Sequence, residues 1–428
     1  MSIKKNALAT VALTGIAVAV SSAYAAGFQL TEQSSLGLGR AYAGAGVVGD
    51  DLSAAHYNPA GMTLLPGTQI QAGSVYIEVD APFTGDDGTK ENGRFKGQAI
   101  PTGYITHQIN DQLWAGLAMT VPFGMGTEYN KDWKYAEAGN ESMVMTIDIN
   151  PSIAYKINDF VSVAAGLSIQ YAKAELGKAA HGLAGIHPQA GPIYARLGNG
   201  KVKADSWDWG YNLGIMIQPT ETLRFGLSYR SAIEHNAEGD FTFTSSALAN
   251  FGGSLTFGDA GVYVKTPDTV YLSGTWEATQ DLRLSGLVRW AKWSNFERLD
   301  IYSDSASAVL GKTPVSASEH NWDDTWLFSL GADYRLNNEW TVRGGIAYET
   351  GAIEAQYRTG TIPDADRVWL TLGATYNYSN KVQFDFGAAY LRGVGNKDLW
   401  SHTENHQKIG EYDSIDAFIL GAQVQYRF

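Results

Sequence analysis

The segment "VSVAAGLSIQY" (Val161–Tyr171) alternates apolar residues with small or polar ones along its whole length. Leu167 and Ile169 fall on one face with the other odd-numbered residues, whereas Ser168 and Gln170 fall on the opposite face. Because successive side chains of a strand point to opposite sides of a sheet, this period of two predicts a strand with one apolar and one polar face. Three further segments repeat the pattern: "LRFGLSYR" (223–230), "WTVRGGIAYE" (340–349) and "VQFDFGAAY" (382–390). The chain is therefore predicted to be all-β.

The connections between the predicted strands alternate between very short polar links and long irregular segments. The short links are Asn110-Asp111, Asn158-Asp159, Thr220-Glu221, Gln280-Asp281, Asn337-Asn338 and Ser379-Asn380. The long segments lie near 81–93, 123–142, 176–202, 236–262, 298–319, 351–365 and 393–412. Short turns at one end and long loops at the other are typical of an outer-membrane β-barrel. The sequence thus predicts a 14-stranded antiparallel transmembrane β-barrel over residues 68–428.

The fourteen predicted strands have the following approximate bounds: 68–80, 94–108, 112–122, 143–157, 160–175, 203–218, 221–235, 263–277, 281–297, 320–336, 339–350, 366–378, 381–392 and 413–428. An even number lets the barrel close with both chain ends on the same side. The last strand alternates up to a terminal aromatic residue, Phe428. Outer-membrane barrels commonly end this way, so we expect the barrel-assembly machinery to bind this strand as a partner.

The N-terminus and the composition indicate an exported protein. Lys4 and Lys5 precede an apolar run that is too short to span a bilayer, and Ala23-Tyr24-Ala25 follows it, so residues 1–25 are predicted to be a cleaved signal peptide. The chain has no Cys, which excludes a disulfide-stapled scaffold, and its net charge of −13 argues against nucleic acid as a partner. The 48 Gly, 23 Tyr, 16 Phe and 12 Trp favour β structure with tight turns.

Residues 26–67 do not alternate and are rich in Gly, Ala and Ser. A barrel of fourteen strands has a lumen too wide for its own side chains to fill. We therefore predict that this segment is an N-terminal hatch, or plug, inside the lumen. A disordered tail, the alternative, is expected to be more charged and less apolar.

The sequence resembles the FadL-type outer-membrane transporters of long-chain fatty acids and other hydrophobic compounds. The resemblance rests on "GFQLTEQSSLGLGRAYAGAG" (27–46) followed by "NPAGM" (58–62), and continues in "VPFGMGTEY" (121–129), "LSYRS" (227–231), "WSNF" (293–296) and "IPDADRVWLTLGATY" (362–376). It implies passive, diffusive uptake by a fourteen-stranded barrel with an N-terminal hatch. Within the hatch, Asn58, Pro59 and Ala60 are expected to form a turn against the inner wall, because Asn and Pro favour turns.

The third predicted strand contains an interruption at Pro122, Phe123 and Gly124. Pro cannot donate to a strand ladder and Gly permits a sharp bend, so the strand is predicted to kink inward and open a gap in the wall. The family uses its third strand as a lateral exit, and the resemblance extends that role to these residues. The alternative reading is that they simply begin an external loop.

The resemblance also implies where ligand is captured and held. The family places a capture groove between the loops 176–202 and 236–262, and the second loop carries the apolar residues Phe241, Phe243, Phe251 and Phe257. Lys178 aligns with a basic family position on the fifth strand, and Lys173 lies on the same strand; a ligand carboxylate in an apolar pocket needs such a cation. The second basic position falls near Ser318-Glu319-His320, where this chain has no Lys or Arg. This difference leaves uncharged or aromatic hydrocarbons as an alternative to long-chain fatty acids.

Other function classes are less well supported by the sequence. A general diffusion porin needs an open lumen and no hatch, and an enzyme needs a nucleophile beside a base, which the sequence does not reveal. We expect no catalytic residues, no metal site and no cofactor. The expected partners are hydrophobic small molecules, outer-membrane lipid and lipopolysaccharide, and the expected assembly state is a monomer.

Overall fold

The computed structural model describes residues 27–92, 97–130, 133–135, 140–187, 191–311, 313–401 and 407–428. The side chains of 181–187, 191–196, 247, 250, 251 and 310 are outside this description. The predicted signal peptide, 1–25, lies outside the described residues as well.

The described residues form a closed antiparallel barrel of fourteen strands, five of which are in two pieces. The strands are β1 Thr68–Asp80, β2 Gln98–Gln108, β3a Leu113–Thr120 and β3b Gly124–Glu128, β4 Glu141–Lys156, β5 Val161–His187, β6 Gly191–Thr220, β7a Leu223–Arg230 and β7b Glu234–Thr244, β8a Ser254–Lys265 and β8b Thr269–Glu277, β9a Leu282–Ala291 and β9b Arg298–Tyr302, β10a Ser316–Glu319 and β10b Thr325–Arg335, β11 Trp340–Glu349, β12 Asp366–Asn377, β13 Val382–Val394 and β14 Asp416–Arg427.

The barrel closes where β1 pairs with β14, from Gln69 opposite Arg427 to Asp80 opposite Asp416. Closure matters because backbone N–H and C=O groups in lipid find no water to bond, so an open sheet edge there is costly. The predicted strand number and antiparallel order are confirmed.

Side-chain alternation follows the prediction. On β5, Leu167 and Ile169 are 42% and 39% exposed, whereas Ser168 and Gln170 are buried. The apolar face therefore points out of the barrel and the polar face into it. The short turns are also where the sequence placed them: the Asn158 side chain accepts from the N–H groups of Phe160 and Val161, both at 2.8 Å.

Two predicted loops are wrong, because the segments 176–202 and 236–262 are largely strand. β5 and β6 continue beyond the barrel as one long hairpin, with Lys178 opposite Gly200. β7b and β8a pair likewise, with Phe241 opposite Phe257. The prediction ended each strand where the apolar alternation ended. Outside the membrane no lipid imposes that alternation, so backbone pairing can continue without it.

Residues 27–67 fold inside the barrel as short helical pieces: α1 Ser35–Leu38, α2 Ala54–Tyr57 and a 3₁₀ turn at Pro59–Leu64. They contact the wall closely where it is glycine: a Cβ on Gly387 would lie 2.3 Å from the carbonyl oxygen of Ser35. None of the helices in the described part of the chain is long and apolar enough to cross a membrane.

The long-loop end carries additional structure. A four-stranded loop sheet combines Pro82–Gly85, Lys90–Asn92, Asp398–Trp400 and Lys408–Tyr412. The remaining helices are α3 Asp304–Leu310 and 3₁₀ turns at Ser246–Phe251, Trp293–Asn295 and Ala355–Tyr357.

Candidate ligand path and lateral window

The third strand is interrupted at the predicted position, and its ladder with β2 ends beside the interruption. β2 and β3a pair from Gln108 opposite Trp114 to Gly103 opposite Met119. Beyond that rung β2 continues to Gln98 along β1, whereas β3b pairs with β4 and, within the described residues, not with β2. We call the space between residues 98–102 of β2 and residues 120–124 the lateral window.

Phe123, the residue after Pro122, forms hydrogen bonds with Thr146 of β4. The N–H of Phe123 donates to Thr146 Oγ1 (3.0 Å), and the N–H of Thr146 donates to the carbonyl of Phe123 (2.9 Å). Pro122 itself has no N–H to give to a ladder. The interrupted backbone is therefore held by β4 on one side and needs another partner on its window side.

The hatch supplies that partner. The N–H of Leu30 donates to the carbonyl of Pro122 (2.8 Å), and the N–H of Gly124 donates to the carbonyl of Phe28 (2.9 Å). The side-chain amide of Gln33 adds two bonds: it donates to the carbonyl of Val121 (2.7 Å) and accepts from the N–H of Val121 (3.1 Å). Buried backbone groups that lose a ladder must bond elsewhere, and here residues 28–33 take the place of β2.

A cluster of packed aromatic rings, which we call the aromatic chamber, lies beside residues 120–124 of the window. Phe28 of the hatch contacts Trp293 (ring centroids 4.8 Å apart), Trp322 (5.6 Å), Phe296 (5.9 Å) and Phe123 (6.0 Å). All five rings are buried. Edge-to-face packing of this kind makes a strongly apolar environment with a defined shape. This chamber was not predicted from the sequence, although Phe28 lies in "GFQL" and Trp293 and Phe296 lie in "WSNF".

Buried charged side chains lie where the barrel wall meets residues 31 and 32 of the hatch. Arg289 of β9a is fully buried and donates to Glu349 of β11 and to Thr31 Oγ1 of the hatch, both at 2.5 Å. Neither carboxylate oxygen of Glu32, also fully buried, has a hydrogen-bond partner among the described residues. The sequence analysis did not identify Glu32.

The predicted hatch turn is at the inner wall. The Asn58 side chain accepts from the N–H of Ala60 (3.1 Å), which caps the 3₁₀ turn that begins at Pro59, and donates to the carbonyl of Ile215 on β6 (3.0 Å). The wall makes room with glycine, because a Cβ on Gly214 would lie 2.2 Å from the Asn58 side-chain oxygen. The geometry thus agrees with the predicted anchoring turn.

The two predicted lysines do not form one site. Lys178 Nζ donates to the carbonyl of Ala317 (3.2 Å) and to Ser318 Oγ (3.3 Å), so it lies beside the segment where the second basic position was expected. Lys173 forms an ion pair with Glu175 at 3.0 Å. The two lysines are five positions apart, and an odd offset along a strand places two side chains on opposite faces. Lys173 therefore lies on the outward face with Leu167 and Ile169, and Lys178 lies on the opposite face.

Three of the four predicted capture phenylalanines pack in one apolar cluster. Phe241 is buried and stacks on Phe257 with ring centroids 6.5 Å apart, and Phe243 is half-buried beside them. Val202 of β6 and Ile301 of β9b complete the contact. The side chain of Phe251 lies outside the described residues. These rings line the inner face of the wall above the barrel rather than an exposed loop.

An apolar groove runs along the outer wall at the rung just below the window. It encloses about 380 Å³ and is lined by Ile70, Ala72, Gly103, Leu117, Met119 and Val424. The small residues Ala72 and Gly103 form its floor, directly opposite each other on β1 and β2.

Comparison with known proteins places this architecture in a family. Residues 16–428 match the family described as outer membrane protein transport protein (OMPP1/FadL/TodX). A long-chain fatty acid transport protein of Escherichia coli O6:H1 is 31% identical over 454 aligned positions, which cover 99% of this chain and 98% of that protein.

Two solved structures share the fold. A Pseudomonas aeruginosa FadL homologue superposes with a TM-score of 0.83 at 22% identity, covering 94% of this chain and 100% of that one. The toluene transporter TodX of P. putida superposes with a TM-score of 0.67 at 16% identity, covering 88% and 94%. The chain is an outer-membrane β-barrel and belongs to the FadL/TodX family of outer-membrane transport proteins.

Proposed function

We propose that the protein takes up hydrophobic molecules passively across the outer membrane, with long-chain fatty acids as the leading substrate class. The observation that carries the proposal is the window in the barrel wall, which lies between a buried aromatic chamber and an apolar groove on the lipid side. A relative that matches along nearly its whole length is a long-chain fatty acid transport protein.

The proposed route begins at the cluster of Phe241, Phe243 and Phe257, with Phe251 as a further expected contact, where the ligand is captured. It continues to the aromatic chamber, where the ligand displaces Phe28, and it ends at the gate residues Pro122, Phe123 and Gly124. Lateral exit is favoured physically, because each CH₂ that moves from water into an apolar environment gains about 0.8 kcal/mol. A descent into the periplasm would forfeit that gain and is blocked by the hatch.

The ligand head group distinguishes two substrate classes. Lys178 is proposed to bind a carboxylate, because its ammonium lies against Ser318 Oγ, beside the segment where the second basic position was expected. Uncharged or aromatic hydrocarbons are the second candidate, because Ser318-Glu319-His320 offers no Lys or Arg as a second cation. The growth of a deletion strain on oleate and on an aromatic hydrocarbon, with and without this gene, tests both. Growth on neither substrate with the gene would contradict the proposed function.

Several further expectations belong to the same proposal. The division into hatch (26–67) and barrel (68–428), the monomeric state, the absence of enzymatic activity, and contacts with lipopolysaccharide and the barrel-assembly machinery are all proposed. Exposed Leu330, Leu370 and Leu372 on the outer wall support lipid contact. The buried hatch argues against a general porin, because a wet lumen would be needed for polar solutes.

A further inference from the structure

We propose that an aromatic cluster in the extracellular loops sets the width of the lateral window by holding β3b away from β2. This loop cluster consists of the buried residues Ala81, Phe83, Tyr129, Trp133, Tyr135, Ala365, Leu399, Tyr412 and Ile415. The proposal rests on the proposed function, since it assigns Tyr129 and Trp133 as positioning residues for the exit. It concerns contacts above the membrane, distinct from those between hatch and strand.

The loop cluster holds the end of the interrupted strand. Tyr129 directly follows the last residue of β3b and stacks on Trp133, with ring centroids 4.4 Å apart and an angle of 15° between the planes. The N–H of Tyr129 also donates to the carbonyl of Asn140 at 2.8 Å. The chain that leaves β3b is therefore fixed within a few residues of the window.

Other residues of the loop cluster are attached to β1 and β14, the strands beyond β2 on the side opposite the window. Phe83 follows β1 and contacts Trp133 (5.7 Å) and Tyr412 (5.7 Å) edge to face. Ile415 immediately precedes β14, and the N–H of Asp413 donates to the carbonyl of Pro82 (2.8 Å). Since β1 is the neighbour of β2, the cluster spans the window at its extracellular end and joins the two sides.

Hydrogen bonds to the loop 351–365 fix the distance between β3b and the part of the loop cluster attached to β1 and β14. Thr127 of β3b donates to the carbonyl of Thr361 (2.8 Å), and Tyr412 donates to the carbonyl of Gly360 (3.0 Å). Burial raises the pKa of Tyr412 to about 12, so its hydroxyl stays protonated and can donate. The oxygens of Tyr129 and Tyr412 are 3.3 Å apart. The loop 351–365 thus holds β3b through Thr361 and the loop cluster through Gly360.

The register shows what these contacts prevent. If the ladder of β2 and β3a continued past Gly103 and Met119 in the same register, Gln98 would pair with Gly124 and the window would close. That closure requires β3b to move outward, away from Thr361 and out of the loop cluster. A cluster of stacked and edge-to-face rings resists such a displacement because its packing is directional.

The test uses the absence of cysteine from the chain, which makes introduced cysteines unique. Spin labels at the exposed positions Glu78 of β1 and Glu128 of β3b report the window by pulsed EPR in Glu78→Cys/Glu128→Cys. Trp133→Ala is expected to broaden and shift the distance distribution and to lower the uptake of labelled oleate about tenfold. Trp133→Phe, which keeps a ring, should leave both measurements near the unsubstituted protein.

A rescue experiment separates positioning from folding. In the Trp133→Ala background, Thr127→Cys and Thr361→Cys joined by a short bis-maleimide should restore most of the uptake, because the cross-link replaces the lost anchor. An unchanged distance distribution with normal uptake in Trp133→Ala would overturn the proposal. Lost uptake that the cross-link does not restore would also overturn it and leave the cluster a role in folding alone.

The proposed uptake function and the proposed role of the loop cluster can be tested separately. If the unsubstituted protein takes up neither oleate nor a hydrocarbon, the proposed function fails, whereas the EPR comparison of Trp133→Ala with Trp133→Phe still decides whether the loop cluster positions β3b.

Discussion

Two parts of the barrel wall differ in the length of their hydrogen-bonded ladders. One consists of β11, β12 and β13, and the other of β2, β3 and β4. Between β11 and β12 the ladder is continuous from Trp340 opposite Tyr376 to Glu349 opposite Arg367. Between β2 and β3 it stops at Gly103 opposite Met119, roughly in the middle of the wall. Both walls contact the hatch at glycines, but the second also forms hydrogen bonds with the hatch backbone at the break.

Proline alone does not account for this difference. Pro101 lies within β2 and Pro151 within β4, and both strands continue past them. At Pro151 the cost is local, because pairing with β5 resumes at Ser152. Of these three prolines, only Pro122 lies at a break in its strand, and there Gln33 and Leu30 of the hatch offer alternative partners. The window at Pro122 therefore depends on the hatch, whose groups bond to the backbone N–H and C=O groups that the interruption leaves without a ladder partner.

The largest expected effect comes from a charge placed in the broken wall. Gly124→Arg should lower oleate uptake about a hundredfold, since a bulky side chain would occupy the window and a charge buried there without a partner is costly. Any side chain here also meets the hatch, because a Cβ would lie 3.0 Å from Leu30 Cδ1. Uptake is measured per heat-modifiable, folded barrel.

The matched control is Gly344→Arg in the continuous wall, where the nearest atoms to a Cβ are 3.7 Å away. Uptake per folded barrel should be unchanged, and ligand binding to purified Gly124→Arg should persist at the outer cluster. Normal uptake by Gly124→Arg would mean that ligand leaves elsewhere, past a displaced hatch.

The second effect concerns the hatch, which contacts both walls. Replacing Asn58 and Pro59 by Ala removes two hydrogen bonds, each worth about 1 kcal/mol, and a preset turn. Uptake should fall several-fold while a heat-modifiable barrel remains in the membrane. Asn158→Ala, in a short turn away from the hatch, serves as the control. Equal uptake in all three proteins would remove the anchoring role from Asn58.

The third effect distinguishes the two faces of β5. Lys178→Ala should weaken fatty-acid binding by about 1.5–3 kcal/mol, the range for hydrogen bonds to charged groups, and leave binding of an uncharged hydrocarbon of equal length unchanged. Lys173→Ala on the outward face should alter neither. Titration of purified protein with both ligands is the measurement; equal losses for the two ligands would indicate packing instead of charge recognition.

The smallest effect is expected from Pro122→Val. It restores one ladder donor, worth about 1 kcal/mol, so uptake should fall by about fivefold at most while the hatch and the loop cluster hold β3b in place. Pro151→Val in β4 is the matched control and should not change uptake. Complete loss of uptake in Pro122→Val would show that the proline alone keeps the window open.

Local regularity made most of the barrel predictable. The period of two in Val161–Tyr171, the short turn at Asn158-Asp159 and the terminal strand ending at Phe428 each depend on neighbouring residues, so the sequence was enough to infer strand number, order and facing. The opposite faces of Lys173 and Lys178 were equally readable from their odd separation. The inference of a hatch from the unpatterned residues 26–67 had the same local basis.

Only the tertiary structure determined the extension of β5 and β6 into a long hairpin, the chamber around Phe28 and the state of the window. The bonds that stabilise the break join Gln33 to Val121, 88 positions apart. The loop cluster joins Phe83 to Tyr412 across nearly the whole chain. Alternation and turn propensity describe neighbours in sequence, whereas a broken ladder is stable only if distant groups satisfy its buried N–H and C=O groups, and those groups become neighbours only when the barrel closes around the hatch.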